Sequence, residues 1–239
     1  MKNVVIVGAT SGIGRDLAVE LHHRGYAVGI TGRRVNRLEE IADSLGKNVY
    51  ISQMDVTNTA ESRAALDTLI SKMGGMNIIV LNAGVGTMRK TLDWQNEQQT
   101  IAVNVEGFAN LALQSFELFN KQGAGQIVGI SSISALFGYG LSPAYTASKA
   151  FISNYMQGLR QKAIHSSSDI TVTDIRPGFV ETEMTEDNDN MFWVAPSPKA
   201  ARQIANAIES KKSRAYITKR WNLIALLIKL LPNQILDRL

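Results

Sequence analysis

The first 25 residues join a short apolar run to a glycine-rich turn and then to a helical pattern, and this order constrains the fold most. Val4 to Val7 are consecutive β-branched residues, as expected of a strand buried on both faces of a parallel sheet. Glycines follow at positions 8, 12 and 14, and an amphipathic pattern then runs to Arg24, with Gly25 placed to end the helix. A strand, a turn and a helix in this order predict an α/β fold.

The glycine-rich turn is suited to binding a phosphate group. Glycines allow backbone N–H groups to approach an anion, and the N-terminus of the following helix adds partial positive charge. We therefore predict a dinucleotide-binding turn made by Gly8, Thr10, Ser11, Gly12, Ile13 and Gly14. An ordinary tight turn is the alternative, with Thr10 and Ser11 serving only as helix caps.

The second predicted strand, Ala27 to Thr31, ends at Gly32-Arg33-Arg34. In such folds an acid at this place accepts a hydrogen bond from the adenosine ribose and repels a 2′-phosphate. Here there is no acid but two arginines, which suit a phosphate. The sequence therefore favours NADP(H) over NAD(H), with Arg33 as the first candidate for the 2′-phosphate and Arg34 as the second. A solvated helix start is the alternative.

Strands and helices alternate along most of the chain. This alternation predicts one domain over residues 1–239, with a doubly wound parallel sheet of about seven strands and helices on both faces. The further strands are expected at 48–52, 76–81, 126–130, 170–175 and 215–218. The further helices are expected at 35–45, 60–72, 93–120, 144–165 and 197–209, the last with Ser197 as its cap.

Tyr145 and Lys149 are expected one turn apart on one helix face, after the strand that ends near Ser132. An ammonium held close to a phenol favours the phenolate and so lowers the pKa of the phenol. Ser132 and Tyr145 could then hold a carbonyl oxygen between them. A Tyr-x-x-x-Lys pattern alone is common by chance.

Six motifs together resemble the short-chain dehydrogenase/reductase family in order and spacing, from Val4 to about Thr182. They are Gly8-x-x-x-Gly12-x-Gly14, Asn82-Ala83-Gly84, Asn104, Ser132, Tyr145-x-x-x-Lys149 and Pro177-Gly178-x-x-x-Thr182. The resemblance implies a Rossmann-type fold, a nicotinamide cofactor and interconversion of a carbonyl and an alcohol.

The resemblance also implies individual roles. Tyr145 would exchange the proton, Lys149 would hold the cofactor ribose and lower the Tyr145 pKa, Ser132 would orient the carbonyl oxygen, and Asn104 would hold a water at a helix irregularity. Further cofactor contacts are implied for Asp55, Val56, Asn82, Ala83, Gly84, Pro177, Gly178, Val180 and Thr182. Asp55 could equally cap the helix that begins near Asn58, and Asn104 could simply be solvated.

Two rival functions remain open from the sequence. The first is a non-catalytic NADPH-binding sensor or regulatory protein, which would not need all four of Asn104, Ser132, Tyr145 and Lys149. The second is epimerisation or dehydration on the same fold, for which the chain leaves little room for a larger substrate domain.

The stretch after Ser132 and the residues from 183 onward suggest where a substrate and a partner would bind. Residues 183–196 have no helical period and are expected to form a lid, although a solvated loop fits nearly as well. The apolar side chains nearest the site favour an apolar carbonyl or alcohol substrate; these are Leu136, Phe137, Tyr139, Leu141, Met184, Met191, Phe192 and Trp193. Residues 220–232 read as an apolar helix that packs on its own domain or on a second subunit of a homodimer or homotetramer. Peripheral contact with an anionic membrane is the less favoured alternative.

Composition excludes several classes of protein. The chain has no cysteine, so it has no disulfide or thiolate–metal site, and its three histidines form no metal pattern. The net charge of +4 is too mild to call for nucleic acid. The start of the chain is too short for a signal peptide, and no apolar run is long enough to span a membrane, so a cytoplasmic location is expected.

Overall fold

The computed structural model describes residues 1–186 and 191–237. In chain order, the strands are β1 Asn3–Val7, β2 Ala27–Gly32, β3 Val49–Gln53, β4 Ile78–Leu81, β5 Ala124–Ile130, β6 Asp169–Pro177, β7 Val180–Glu181, β8 Ala195–Pro196 and β9 Arg214–Ile217. Seven of them form one parallel sheet in the order β3-β2-β1-β4-β5-β6-β9, and β7 pairs separately with β8. The predicted fold class is confirmed.

Helices cover both faces of the sheet. They are α1 Gly12–His23, α2 Val35–Leu45, α3 Thr59–Met73, α4 Trp94–Ile101, α5 Phe108–Gln122, α6 Pro143–Ile164, α7 Ser197–Glu209, α8 Trp221–Leu230 and α9 Asn233–Leu236. A π-helical segment, Ala102–Gly107, lies between α4 and α5, and a 3₁₀ turn, Ile133–Leu136, follows β5. Within the described residues, no helix is both long enough and apolar enough to cross a membrane.

The core lies in two layers because successive side chains of a strand point to opposite faces. On β1, Val4 and Ile6 belong to the layer that contains Leu17 of α1 and Ile204 of α7. The alternate residues of β1 belong to the other layer, with the apolar faces of α3, α5 and α6. Since the inner strands β1, β2 and β4 are buried on both faces, continuous apolar runs such as 4–7 were a reliable signal for them.

Two predicted helix features need correction. The span expected as one helix, 93–120, is instead α4, the π-helical segment and α5, so the backbone irregularity expected around Asn104 is present. Ser197 does not cap α7. Pro196 precedes the first turn, Ser197 is already helical, and its buried Oγ has no hydrogen-bond partner within the described residues.

The apolar C-terminal helix has two different faces. Trp221 and Ala225 are buried against the 3₁₀ turn, where they pack with Ile133. The opposite face carries four exposed leucines, at positions 223, 226, 227 and 230. One side of α8 therefore packs on its own domain, which is one of the two arrangements expected on protein, and the other side is exposed.

The carboxyl ends of the parallel strands meet at one edge of the sheet. Gly8 follows β1, Arg33 follows β2, Asn82 follows β4 and Ser131 follows β5. Four loops that carry predicted site residues are therefore neighbours in space, although they are far apart in sequence.

Candidate active site

The glycine-rich turn packs against the loop that follows β4. The Asn82 side chain donates from Nδ2 to the Gly8 carbonyl oxygen over 2.6 Å. A Cβ atom on Gly14 would lie 2.2 Å from that same oxygen, and one on Gly8, whose φ is +83°, would lie 2.6 Å from the Ala83 Cα. Only glycine fits at these two positions, so the turn presents bare backbone at the sheet edge, as a bound pyrophosphate requires.

The loop after β6 lies over the same turn. A Cβ on Gly12, whose φ is +53°, would lie 2.9 Å from Cγ2 of Thr182. The Gly178 backbone N–H donates to the Ile217 carbonyl oxygen over 2.6 Å, and the indole of Trp221 covers Gly178 so closely that a Cβ there would lie 2.0 Å from it. The Pro177-to-Thr182 motif is thus fixed between α8 and the glycine-rich turn.

At the end of β2 the two arginines point to different places. Arg34 donates from Nη2 to Thr10 Oγ1 and Ser11 Oγ, over 2.9 and 3.0 Å. Arg33 is exposed and lies near Asp55. Arg34, which was the second candidate, is therefore the arginine that contacts the glycine-rich turn. Neither hydroxyl caps α1: the side chain of Ser11, the N-cap residue, makes no capping hydrogen bond.

Asp55 folds back on its own loop. Its Oδ1 accepts from the Thr57 backbone N–H over 3.0 Å and from the Thr57 hydroxyl over 2.7 Å. Desolvation raises its pKa, but these hydrogen bonds outweigh that effect and hold the pKa of Asp55 below its usual value. Asn58, not Asp55, caps α3, by accepting from the Glu61 N–H, so the capping alternative for Asp55 is wrong. Val56 is buried in the core layer that contains α3 and α5.

Asn104 is fully buried in the π-helical segment, so the alternative of a solvated side chain is wrong. Its Oδ1 accepts from the Val85 N–H over 2.9 Å, and its Nδ2 donates to the Val85 carbonyl oxygen over 2.8 Å. Nδ2 also donates to Ser148 Oγ over 2.9 Å. Asn104 therefore joins the loop after Gly84 to helix α6, directly beside the residues predicted to do chemistry.

Tyr145 and Lys149 lie one turn apart on α6, as predicted. Nζ of Lys149 is 5.6 Å from the centroid of the Tyr145 ring and donates to the Ile130 carbonyl oxygen over 3.0 Å. Burial lowers the pKa of Lys149 to about 8, whereas the Asp174 carboxylate acts in the opposite direction. Sequence reasoning missed Gly86, on which the tyrosine ring rests: a Cβ there would lie 2.3 Å from Cδ2 of Tyr145.

The pKa of Tyr145 moves against the sequence expectation. Burial raises it, and an interaction with the Ser132 hydroxyl lowers it by less. Lys149 was expected to lower it, but that ammonium faces the ring and the Ile130 carbonyl. Ser132 is buried at the end of β5, and its Oγ also accepts from the Ser134 N–H over 3.1 Å.

Beneath these residues lies a buried charge cluster that sequence reasoning missed. Asp174 on β6 is fully buried and accepts from Ser131 Oγ over 2.5 Å, from Ser153 Oγ over 2.7 Å and from Arg176 Nε over 2.8 Å. Nε of Arg214 lies 3.5 Å from the same carboxylate. Ser131 precedes Ser132, and Ser153 follows Lys149 by one turn of α6. The cluster therefore fixes the end of strand β5 against helix α6. An acidic residue inside a predicted strand was the sequence signal that could have revealed it.

Aromatic side chains from the loop after β6, the following segment and α8 form a continuous group. Phe192 lies 5.7 Å from Phe179 and 5.1 Å from Trp221, between ring centroids, and Trp193 lies 6.1 Å from Trp221. Leu136 packs on the neighbouring cluster with Trp221. Phe137, Tyr139 and Met191 are partly exposed, and Leu141 and Met184 more so. Residues 187–190 of the expected lid lie outside the described residues.

Among groups of histidine, cysteine and acidic side chains in residues 1–186 and 191–237, none is arranged to hold a metal ion. The site therefore consists of a glycine-lined turn, two arginines and four polar side chains, namely Asn104, Ser132, Tyr145 and Lys149.

Comparison with known proteins agrees with this geometry. A family model described as short chain dehydrogenase matches residues 2–193. An uncharacterized oxidoreductase of Myxococcus xanthus is 32% identical over 99% of this chain and 95% of its own length. The closed form of a serine dehydrogenase complexed with NADP⁺ is 26% identical, with a TM-score of 0.76 over 86% of this chain and 88% of that one.

A further solved structure bears on the fold alone, because it is only 20% identical. It is a short chain dehydrogenase/reductase from Burkholderia phymatum in complex with NAD, with a TM-score of 0.86 over 95% of this chain and 92% of that one. Sequence and structure thus agree that this chain belongs to the short-chain dehydrogenase family of oxidoreductases.

Proposed function

We propose that the protein is an NADP(H)-dependent oxidoreductase that interconverts a carbonyl and a secondary alcohol, with Tyr145 as the general acid and base. The observation that carries the proposal is the arrangement of Ser132, Tyr145 and Lys149 at the carboxyl edge of the sheet, with Asn104 joined to α6 behind them. A non-catalytic sensor would not need this arrangement, and no contact among the described site residues favours one.

The residues at the sheet edge fit a nicotinamide dinucleotide. The turn from Gly8 to Gly14 leaves bare backbone for the pyrophosphate, and Thr182 lies beside Gly12. Asn82, Ala83, Gly84, Val180 and the Pro177-Gly178 pair surround the same edge and complete the proposed binding residues, together with Ile13, Asp55 and Val56. When bound, the nicotinamide supplies or accepts the hydride.

A preference for NADP(H) rests on the arginines. Arg34 donates to Thr10 and Ser11 of the glycine-rich turn, and Arg33 is exposed at the end of the same strand. Guanidinium groups suit a phosphate, so we assign the 2′-phosphate of the ribose to these arginines. The related serine dehydrogenase is complexed with NADP⁺, whereas a fold neighbour binds NAD, so the fold alone does not decide between the two.

Proton transfer falls to Tyr145. In reduction, its hydroxyl donates a proton to the oxygen of the carbonyl, and Ser132 holds that oxygen by a hydrogen bond. Burial raises the pKa of Tyr145, so the phenol is protonated at neutral pH, as a proton donor must be. Lys149 would hold the cofactor ribose, and its positive charge would favour the phenolate form of Tyr145. Asn104 holds a water that resupplies the proton, and alcohol oxidation uses the same groups in reverse.

The proposed substrate is apolar. Phe179, Phe192 and Trp193 pack on one another, and Phe179 and Leu136 pack on the cluster that contains Ile133, the residue after Ser132. We assign the apolar wall of the substrate site to this group. An apolar carbonyl or alcohol of medium size fits this wall better than a charged sugar or phosphate does.

A screen of carbonyl compounds and alcohols, followed by NADPH absorbance, tests the proposal. We expect turnover with apolar compounds, NADPH preferred over NADH, and loss of turnover in Tyr145→Phe with NADPH binding kept. Arg34→Ala and Arg33→Ala should each weaken binding of NADPH more than of NADH. A Tyr145→Phe enzyme that kept most of its kcat would remove Tyr145 from the proton-transfer role.

We also propose that the protein forms a homodimer or homotetramer, to which the exposed leucines of α8 contribute. Leu223, Leu226, Leu227 and Leu230 form a stripe at helical spacing, which would be costly to leave in water. Deleting the residues after Trp221 should lower solubility or reduce the oligomer seen by light scattering. Flotation with anionic vesicles, lost on the same deletion, would instead assign the stripe to a membrane surface.

A further inference from the structure

The first residue of the expected lid makes contacts at the adenosine end of the cofactor site. Glu183 directly follows Thr182, and its carboxylate accepts from Arg34 Nη1 over 3.0 Å and from Arg37 Nη1. Arg37 lies in the first turn of α2. These bonds join the loop after β7 to the helix after β2, across the mouth of the glycine-rich turn.

Arg34 holds this carboxylate and the glycine-rich turn at the same time. Its Nη1 faces Glu183, while its Nη2 faces Thr10 and Ser11. The carboxylate therefore occupies an anion position beside the hydroxyls of the turn. The two arginines hold the pKa of Glu183 at about 2, so the group is fully charged at neutral pH.

Charge balance makes the pair of arginines suitable for only one strong anion. Arg34, Arg37 and Glu183 together carry a net charge of +1. A 2′-phosphate carries close to two negative charges at neutral pH, and guanidinium groups bind it bidentately. A carboxylate left in place would repel that phosphate at close range.

We propose that the Glu183 carboxylate and the 2′-phosphate of NADP(H) are alternative ligands of Arg34 and Arg37, which makes Glu183 a determinant of cofactor specificity. The inference rests on the proposed NADP(H) preference and deepens it. The 2′-phosphate of NADP(H) takes the place of the Glu183 carboxylate and releases Glu183 from α2, whereas NAD(H) leaves that contact in place. By linkage, any interaction that stabilises the contact of Glu183 with the arginines weakens NADP(H) binding by the same free energy.

The test needs no substrate, because two cofactor fragments, one with the 2′-phosphate and one without it, are enough to measure the preference. Binding of 2′,5′-ADP and of 5′-AMP is measured by calorimetry on the wild type and on Glu183→Gln, which keeps the shape and removes the charge. We expect about five-fold tighter binding of 2′,5′-ADP by the variant, from the loss of two exposed pairs, and unchanged binding of 5′-AMP.

Glu186→Gln is the matched control. It removes the same charge three residues further along the same segment, and Glu186 is also exposed. In an Arg37→Gln background the gain from Glu183→Gln should shrink, because the two residues are coupled. Hydrogen exchange over residues 180–186 should increase with 2′,5′-ADP and not with 5′-AMP.

Three results would overturn the competition: no gain for 2′,5′-ADP in Glu183→Gln, an equal gain for 5′-AMP, or an equal gain from Glu186→Gln. The wild type then separates the two proposals. If it binds 2′,5′-ADP more tightly than 5′-AMP, the NADP(H) preference stands and only the role of Glu183 falls; if it does not, both fall.

Discussion

The protein contains two clusters in which one carboxylate lies between two arginines, and they differ chiefly in burial. On β6, the side chain of Asp174 is 0% exposed and that of Arg176 is 7% exposed, with Arg214 at the edge. At the mouth of the glycine-rich turn, the side chains of Glu183 and Arg34 are 43% and 41% exposed. The same chemistry gives a fixed support in the first place and an exchangeable contact in the second.

The physical reason is the cost of separating the charges. Removing one partner of a buried pair leaves the other charged and without solvent, whereas an exposed pair exchanges its partner for water. Asp174 also accepts from two serine hydroxyls, so its oxygens have no need of water. Glu183 contacts only arginines among the described side chains, and another anion can replace it.

The largest expected effect is therefore on the buried cluster. Asp174→Asn leaves the buried Arg176 without its counter-charge and should reduce the free energy of unfolding by about 3 kcal/mol or more. Urea unfolding at pH 7 of this variant, beside Glu183→Gln, measures the difference. A loss below about 1 kcal/mol for Asp174→Asn would contradict the comparison.

A second effect should appear in the pH dependence of stability, through Lys149. Its pKa in the folded protein is about 8, below the ordinary value of 10.5, so the unfolded chain binds the additional proton between these values. Stability should therefore rise as the pH increases from about 8 to 10, by about 2 kcal/mol.

The control for this rise is Lys149→Met, in which the other titrating groups are unchanged. The free energy of unfolding at pH 8 and at pH 10 gives the rise for each protein, and the part due to Lys149 should be missing from the variant. An equal rise in both proteins would mean that the lysine pKa is not lowered. Above pH 10 the raised pKa of Tyr145 opposes the effect, so the comparison stays below that pH.

The smallest expected effect is on the exposed cluster. Glu183→Gln should change the free energy of unfolding at pH 7 by at most about 1 kcal/mol. The folded pKa of Glu183 is about 2, against an ordinary value of 4.5, so its contribution is present above pH 4.5 and is lost as the pH falls toward 2. Unfolding measured at pH 7 in low and in high salt should show the small difference disappearing with salt. A difference that persisted in high salt would mean that the pair is not exchangeable.

The residues of the candidate site show which features could be predicted from the sequence and which could not. The place of the glycine-rich turn between β1 and α1 and the one-turn spacing of Tyr145 and Lys149 on α6 follow from local sequence spacing, and the structure has both as expected. Arg33 was preferred over Arg34 because only their positions in the sequence were visible. The side chain that faces the turn is decided by partners such as Glu183, nearly 150 residues away in sequence.

Other differences have the same origin in distant contacts. The pattern of β6 alternates between apolar and polar residues, yet Thr173 and Asp174 are both buried. Gln126 of β5 and Ser131, the residue after β5, supply their hydrogen bonds. The pKa of Tyr145 depends on how deeply the surrounding chain buries its hydroxyl. The spacing of Tyr145 and Lys149 along one helix gives no information about that burial.

The strand order has a consequence for how the chain folds. Val4 of β1 pairs with Val28 on one side and with Ile78 on the other, a separation of 78 − 4 = 74 residues. During synthesis β1, β2 and β3 are complete well before β4 emerges. Until then, the edge of β1 that later pairs with β4 has free backbone hydrogen-bonding groups and apolar side chains, to which another chain can pair. Closing so long a loop slows folding. Refolding yield should therefore fall as the protein concentration rises, and nascent chains stopped before Ile78 should depend most on chaperones.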